Sequence, residues 1–451
     1  MMHGLCAPVR LVPRLRVSRL HPFVAQRSLN VMNHQYALLQ SRVASTDKDI
    51  ETSHRRQYIS LYNYTPLDKT KLPKLRREMN EQWEKLGIVG RIYIAEEGIN
   101  GQLVVPEQVV TVFERSFPRL LCNAKLFYGQ LIEDKALRNA SKDRVKPAEP
   151  FCKLDVRVRN QILHDGFQGG ELNLQNSGRS LPPEQWHHKL KIRNDLQDSD
   201  ILVLDVRNFY EHEIGRFDGA TRIMVDTFRD TFDALDEILE QHAKKHDGQK
   251  PKEIMMYCTG GIRCEKVGAY LTQYKGISNV QKLHGGIVNY VHFLKEQRQA
   301  ATRARARCVN VGADTTTDDG NVKEVMSLFR GKNFVFDQRC VGDLTESEEV
   351  TDDVLGQCFQ CAEPCNRHTN CSNVMCHGLI LQCLQCARSM VGACSQACMH
   401  EFVKMESMTL EDQRNYRKEN ALKWKPKNPN SASALKFIRF RPASLELLTN
   451  A

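Results

Sequence analysis

The stretch Tyr257-Cys258-Thr259-Gly260-Gly261-Ile262-Arg263-Cys264-Glu265-Lys266 combines the residue types best suited to chemistry in this chain of 451 residues. It follows a nearly unbroken apolar run at 253–258 and precedes a helical pattern at 265–274. A strand-to-helix turn at the C-terminal rim of a parallel sheet is where such sheets place ligands. Gly260 and Gly261 let successive backbone N–H groups turn inward and form an anion-binding concavity. The first turn of the helix adds its positive end, and Arg263 adds a fixed charge. All of these favour the thiolate of Cys258, which is the nucleophilic form. A buried structural cysteine is the plain alternative, yet a double glycine followed by an arginine is a poor way to fill a core. Thr259, Gly260, Gly261 and Ile262 complete the loop. Cys264 lies inside the helix start and reads as packing, with a resolving thiol as the other option.

A second cluster lies near the C-terminus. Of 16 cysteines, nine fall between Cys358 and Cys398. Cys358 and Cys361 form one Cys-x2-Cys knuckle, and Cys383 and Cys386 a second about twenty residues on. This is zinc-ribbon spacing. Cys371, Cys376, Cys394 and Cys398 are further candidate ligands, and nine cysteines exceed one site, so one or two structural zinc ions are expected. Spacing alone leaves the pairing open, and also leaves open the part played by Cys365 and by His368, His377 and His400. A site of thiolates only has no free position for water, so these ions are structural rather than catalytic.

Charge divides the chain. Residues 1–46 hold six arginines and no acid, while 404–451 hold ten basic and five acidic residues. The formal charge of +10 therefore leaves the main body near neutral. Net charge by itself is no argument for nucleic acid. The leader, rich in Arg and Ser and lacking a long apolar centre, reads as an organellar, most often mitochondrial, targeting segment; a cytoplasmic protein with a basic tail is the alternative. A local basic run includes Lys142, Arg144, Lys146, Arg157 and Arg159 beside Phe151, a candidate phosphate track for RNA. The C-terminal tail mixes Arg414, Arg417, Lys418, Lys423, Lys425 and Lys427 with Trp424 and could grip phosphates and stack a base. With 41% hydrophobic and 26% charged residues, a globular core is expected and wholesale disorder excluded. No run of 18 apolar residues predicts a membrane-spanning helix.

The elements that must position these groups form an α/β and α+β multidomain chain. Residues 55–150 show a β-α-β-β-α-β order, the ferredoxin-like (acylphosphatase-like) arrangement. Its first helix, 68–86, carries Leu72, Leu75, Met79, Trp83 and Leu86 on one face. Its central hairpin is expected to turn at Asn100-Gly101. Residues 151–179 read as a connecting segment, and 180–300 as an α/β domain with a parallel sheet. A linker is expected at 301–330, a Cys-rich zinc-ribbon-like module at 331–403, and a basic tail at 404–451.

Asp205-Val-Arg207-Asn208 with Glu211, Gly215 and Phe217-Asp-Gly-Ala220, the loop from Cys258 to Arg263, and His284-Gly-Gly-Ile287 together resemble the signatures of a rhodanese domain. The six-residue span from Cys to Arg is similar to that of sulfur-handling members, whose cysteine carries a persulfide. The resemblance extends further, to the tRNA uridine hydroxylase family. It rests on Ile94-Ala-Glu-Glu-Gly-Ile-Asn-Gly101, Phe151-Cys-Lys-Leu-Asp-Val-Arg-Val-Arg159, Asp226-Thr-Phe-Arg-Asp230 and the cysteine loop. It covers about residues 57–300, with a looser echo at 331–339. It implies oxygen-dependent 5-hydroxylation of the wobble uridine of tRNA, with Cys258 as the active cysteine, molecular oxygen as co-substrate and Arg263 as electrostatic support. The leader and the Cys-rich region look like the eukaryotic rhodanese-like branch of the family. Two other functions stand beside this one. One is a sulfurtransferase that takes sulfane sulfur from a donor through Cys258; the other is a non-catalytic zinc-binding scaffold.

Overall fold

A computed structural model of the chain describes residues 55–133, 151–167, 169–310, 325–334, 351, 353–376 and 378–420. The leader therefore lies outside the described residues.

The first domain opens with β1 (Arg55–Tyr64) and helix α1 (Leu72–Lys85). Asp68 accepts the Thr70 N–H just ahead of the helix, and Pro73 in the first turn suits a position that needs no donor. Then come β2 (Val89–Ala95), β3 (Gly98–Pro106), the short helices α2 (Val110–Arg115) and α3 (Pro118–Leu121), and β4 (Lys125–Glu133). The expected element order is present. Ile59, Leu61, Ile92, Ile94, Leu103 and Val105 face one side of the sheet, where they meet Met79, Trp83 and Phe113 from the helices. Each such side chain contributes roughly 1.5–3 kcal/mol when fully buried.

Two expectations are corrected here. The hairpin turns at Glu96-Glu97, because Ala95 pairs with Gly98; Asn100 and Gly101 lie inside β3. Gly98 has φ of +140°, and a Cβ there would stand 1.9 Å from the carbonyl oxygen of Asn63. Only glycine allows the chain to leave the turn so close to β1. This register sends Ile92, Ile94, Ile99 and Leu103 into the core, whereas a turn at Asn-Gly would change it. The second correction concerns the segment after 150. It supplies a fifth strand, β5 (Leu154–Val158), parallel to β2, in a sheet ordered β4-β1-β3-β2-β5.

The second domain begins with β6 (Arg179–Leu181), α4 (Pro183–Leu196), β7 (Ile201–Asp205), α5 (Phe209–Ile214), β8 (Gly215–Phe217) and β9 (Thr221–Arg222). It continues with α6 (Thr231–Lys245), β10 (Glu253–Tyr257), α7 (Ile262–Gln273), β11 (Val280–Leu283) and α8 (Gly286–Asn310). The sheet order is β6-β11-β10-β7-β9, and every pairing is parallel. The unbroken apolar runs of β7 and β10 are buried on both faces. Helix α8 reaches Asn310, into the stretch expected as linker. Past the undescribed part, β12 (Phe329–Gly331) pairs with β8.

The Cys-rich module holds one hairpin, β13 (His368–Asn370) with β14 (Leu379–Leu381), and helices α9 (Leu384–Ser389) and α10 (Gln396–Glu406). Helix α11 (Leu410–Asn420) occupies the start of the tail. Among the described residues, no helix is long and apolar enough to cross a membrane.

The first two domains meet through buried charge. Lys266 on α7 is 2% exposed at its side chain; its Nζ lies 2.7 Å from Asp165 and 2.9 Å from Glu97 and donates to the Leu163 carbonyl at 2.9 Å. Glu97, in the hairpin turn, also accepts the Ile162 N–H at 2.7 Å. Removing one partner from such a cluster strands the others. Lys266→Met is therefore expected to cost about 3 kcal/mol of unfolding free energy by chemical denaturation; a loss below about 1 kcal/mol would show that the cluster does not hold the domains.

Candidate active site and metal centres

Cys258 stands at the C-terminal end of β10, as the sequence places it. Its Sγ accepts the Gly261 N–H at 3.0 Å. Burial pushes the thiol up, but a hydrogen bond from the Cys264 thiol, the charge of Arg263 and the N–H groups of Arg263 and Cys264 outweigh it. The result is a pKa lowered to about 6, so the sulfur is a thiolate at neutral pH. Cys264 moves the opposite way. Burial and the neighbouring Cys258 hold it well above the usual thiol range, so it stays protonated and donates. It is neither inert packing nor a second nucleophile in this state.

A reactive thiolate at a sheet rim is normally open to solvent, yet Cys258 is 0% exposed. The helix-free side of the first domain's sheet lies over the loop. Ser60 Oγ sits 3.8 Å from where a Gly260 Cβ would be, and the Tyr62 hydroxyl oxygen 2.9 Å from that of Gly261. Phe127 closes on Gly285. The Tyr64 hydroxyl donates to the Ile262 carbonyl at 3.3 Å. The cover comes from a domain distant in sequence, which no local motif could announce.

Arg263 does less by free charge than expected. Its guanidinium makes two hydrogen bonds to Glu211, at 2.7 and 3.0 Å, and one to Thr259 Oγ1 at 3.0 Å. Thr259 donates to the same carboxylate at 3.2 Å. Glu211 is fully buried and also accepts the Asn208 N–H, closing a capping box at α5. It thus ties the loop to α5, a role missed in the sequence; its place three residues after Asn208 was the available signal. Asp205 has a structural part, bound by Arg207, His212 Nδ1 and the Tyr257 hydroxyl. The His284-Gly-Gly-Ile287 signature has a steric reason. A Cβ on Gly286 would lie 2.3 Å from the Cys258 carbonyl oxygen, and Ile287 N–H donates to that oxygen at 3.0 Å.

Glu265 anchors the far side of the loop helix. It takes Lys125 at 2.5 Å, Lys282 at 2.6 Å and Ser177 at 2.6 Å, and the Tyr62 hydroxyl at 3.3 Å. Burial opposes its ionisation, but Lys282 and Lys125 lower its pKa to about 2.

Of the basic run, Arg157 and Arg159 lie exposed at β5. Lys142, Arg144 and Lys146 fall outside the described residues.

The cysteine cluster resolves into two interleaved groups. Cys358, Cys361, Cys383 and Cys386 form one; Cys371, Cys376, Cys394 and Cys398 form the other, with all sulfurs of a group within 4.8 Å. Tetrahedral zinc bonds to sulfur at about 2.3 Å, which sets sulfurs about 3.8 Å apart. Cys361 and Cys383 stand at 3.8 Å, and Cys376 and Cys394 at 3.7 Å. Backbone N–H groups of Cys383, Cys386 and Cys394 point at Sγ atoms, as thiolates require. The donor sets fit metal ions and are compatible with zinc. Cys365 is in neither group; its sulfur accepts the Arg367 N–H. His368 is buried against Phe334. The module packs on α5, where Phe334 and Leu381 join Phe209 and Tyr210.

An acylphosphatase-like sheet lying over the cysteine loop of a parallel α/β domain defines a rhodanese-domain protein with an N-terminal partner domain. Family models agree: a UPF0176 acylphosphatase like domain matches residues 56–162, a rhodanese-like domain 189–292 and a rhodanase C-terminal domain 330–399. A tRNA uridine(34) hydroxylase of Leptospira interrogans is 33% identical over 350 residues, covering 78% of this chain and 79% of that protein. The one from Yersinia pestis (strain Pestoides F) is 34% identical over 370 residues, covering 82% and 86%. The chain belongs to the tRNA uridine(34) hydroxylase family. Among solved structures, an As-Sb reductase from Leishmania major is 18% identical and covers 27% of this chain and 82% of that one, with a TM-score of 0.21.

The thiolate is open to titration. The thiolate absorbance in the ultraviolet, taken as the difference between wild type and Cys258→Ser from acid to alkaline pH, needs no reagent to reach the buried sulfur and should show a midpoint at about pH 6. Protonation below the midpoint removes the nucleophile. Cys264→Ala deletes a donor to the thiolate and should move the midpoint upward; an unmoved midpoint would exclude the S–H donor.

Proposed function

We propose that this protein hydroxylates uridine 34 of tRNA at C5, with Cys258 as the nucleophile and molecular oxygen as co-substrate. The observation that carries this is a buried thiolate, held by main-chain and thiol donors, in a member of the tRNA uridine(34) hydroxylase family. C6 of uracil is electrophilic because it is conjugated to the C4 carbonyl. Addition of the thiolate at C6 places the electron pair on the C5–C4–O enolate, and C5 becomes the carbon that reacts with oxygen; once C5 carries oxygen, loss of its proton expels the Cys258 thiolate and restores the C5–C6 double bond. Conversion of uridine and O2 to 5-hydroxyuridine and water takes up two electrons and two protons, so an external two-electron reductant belongs to the reaction. The burial of the sulfur excludes water from this adduct. It also requires the sheet face over the loop to lift for the base to enter. Arg263, Thr259, Gly260, Gly261 and Ile262 shape the loop, and Cys264 supplies the S–H donor.

The Arg-rich, acid-free leader supports work on mitochondrial tRNA. Nucleoside mass spectrometry on mitochondrial and cytosolic tRNA from cells lacking the protein checks both statements. Loss of 5-hydroxyuridine-derived nucleosides from the mitochondrial pool, restored by the wild type and not by Cys258→Ser, is expected. Unchanged nucleosides in both pools end the hydroxylase assignment, and loss from the cytosolic pool alone ends the mitochondrial one.

Both four-cysteine groups hold zinc in this proposal, through Cys358, Cys361, Cys383 and Cys386 and through Cys371, Cys376, Cys394 and Cys398. Zinc supplies cross-links to a segment with a small apolar core. Elemental analysis of the purified protein should give two zinc ions per chain and one in Cys358→Ser, with a lower unfolding temperature for the variant. Less than one ion per wild-type chain would refute the zinc sites.

A further inference from the structure

The first domain's sheet has helices on one face only, and the registers show what the other face carries. One row across the sheet, from β4 to β5, is Lys125, Tyr62, Asn100, Tyr93 and Arg157. The adjacent row is Phe127, Ser60, Gln102, Arg91 and Asp155. The β4–β1 end of both rows lies on the cysteine loop, through Tyr62, Ser60 and Phe127. The β2–β5 end does not. There Arg91 and Arg157 are exposed, and Tyr93 and Gln102 partly so. Arg159, just past β5, holds its guanidinium 5.5 Å from the centre of the Tyr93 ring.

The composition of this half is specific. Alternation along β5 puts Lys153, Asp155, Arg157 and Arg159 on the same face. With Arg91, that makes four cations and one carboxylate, and the carboxylate, Asp155, is bound by Arg157. The main body of the chain is near neutral, so this local excess is not a by-product of overall charge. A positive sheet surface with one accessible ring matches what single-stranded nucleic acid needs: cations for phosphates and a flat platform for a base. An anionic protein would use the charges but has no need of a ring capped by an arginine. Neighbouring strands are about 4.8 Å apart, so Arg157 lies roughly 14 Å across the sheet from Tyr62, which covers the loop. The surface is thus continuous with the cover of Cys258 and within a few nucleotides of a base placed there.

We infer that the exposed half of this helix-free face, formed by Arg91, Tyr93, Gln102, Arg157 and Arg159, binds the single-stranded RNA flanking the target uridine. Tyr93 stacks a base under Arg159, and the other arginines hold phosphates. The inference rests on the proposed function, since it takes the anticodon loop as the ligand.

The test is fluorescence anisotropy with the full-length protein and a labelled anticodon stem-loop RNA, at several salt concentrations. Tyr93→Ala should weaken binding about tenfold, within the range for loss of one base stack, and Tyr93→Phe should restore it. Arg91→Gln with Arg157→Gln should flatten the slope of log affinity against log salt by about 1.4, the value for two phosphates on a single strand. Unfolding temperatures equal to wild type confirm that the variants are folded. Affinity and slope within error of wild type for both variants overturn the inference. So does an equal loss on a fully paired RNA, which would place duplex rather than loop on the surface. The two proposals fail separately: unchanged tRNA nucleosides in cells lacking the protein refute the hydroxylase, whatever the binding result.

Discussion

Cys258 must be out of water and yet negatively charged. Burial alone would drive its thiol toward the neutral form, because the anion loses its hydration. The loop replaces that hydration with fixed donors: the Gly261 N–H, the amides at the start of α7 and the Cys264 thiol, with the Arg263 charge nearby. Donors that are already oriented need no reorganisation when charge moves, which is why such cradles are effective in catalysis. The cost falls on the loop backbone, which has to be held in one shape. Gly286 allows α8 to approach the Cys258 and Thr259 carbonyls, and Glu211 holds Arg263 and Thr259 together.

That requirement propagates outward. Glu211 belongs to α5, and α5 is packed against Phe334 and Leu381 of the cysteine-rich module. The β13–β14 hairpin that carries Leu381 lies within the two four-cysteine groups: Cys371 and Cys376 of one lie between its strands, and Cys383 of the other follows β14. The two candidate metal centres are thus connected by side-chain packing to the loop, although they offer it no ligand. On the opposite side, Glu265 and Lys266, adjacent on α7, each enter a buried ion cluster with the first domain. Breaking either cluster leaves buried charge without a partner, so the cover over the sulfur is held by interactions that are strong only when complete.

The same sheet therefore has two uses. Its helix-covered face is an ordinary apolar core. Its other face is divided between a closed half, over the thiolate, and an open half of arginine and tyrosine. Strand order decides which residues lie in which half, since β1 and β4 sit at one side and β2 and β5 at the other.

Local sequence was sufficient for much of this. The Cys-Thr-Gly-Gly-Ile-Arg-Cys loop announces its own backbone shape, because glycines, a helix start and an arginine act within a few residues of the sulfur. The apolar runs of β7 and β10 and the amphipathic face of α1 follow from periodicity, which is also local. The Cys-x2-Cys spacing identifies metal-binding donors, but the interleaving of the two groups depends on how the hairpin folds back. Three features belonged to tertiary structure alone. The Asn100-Gly101 pair has a turn's composition, yet core packing of Ile92, Ile94 and Leu103 sets a register that moves the turn to Glu96-Glu97. Glu97 and Lys266, 169 positions apart, become partners only when the domains dock. The burial of Cys258 is imposed by Ser60, Tyr62 and Phe127, whose own neighbours in sequence say nothing about a cysteine 131 to 198 positions away. Short-range sterics and hydrogen bonding are written in adjacent residues, while burial and ion pairing between domains depend on which surfaces meet.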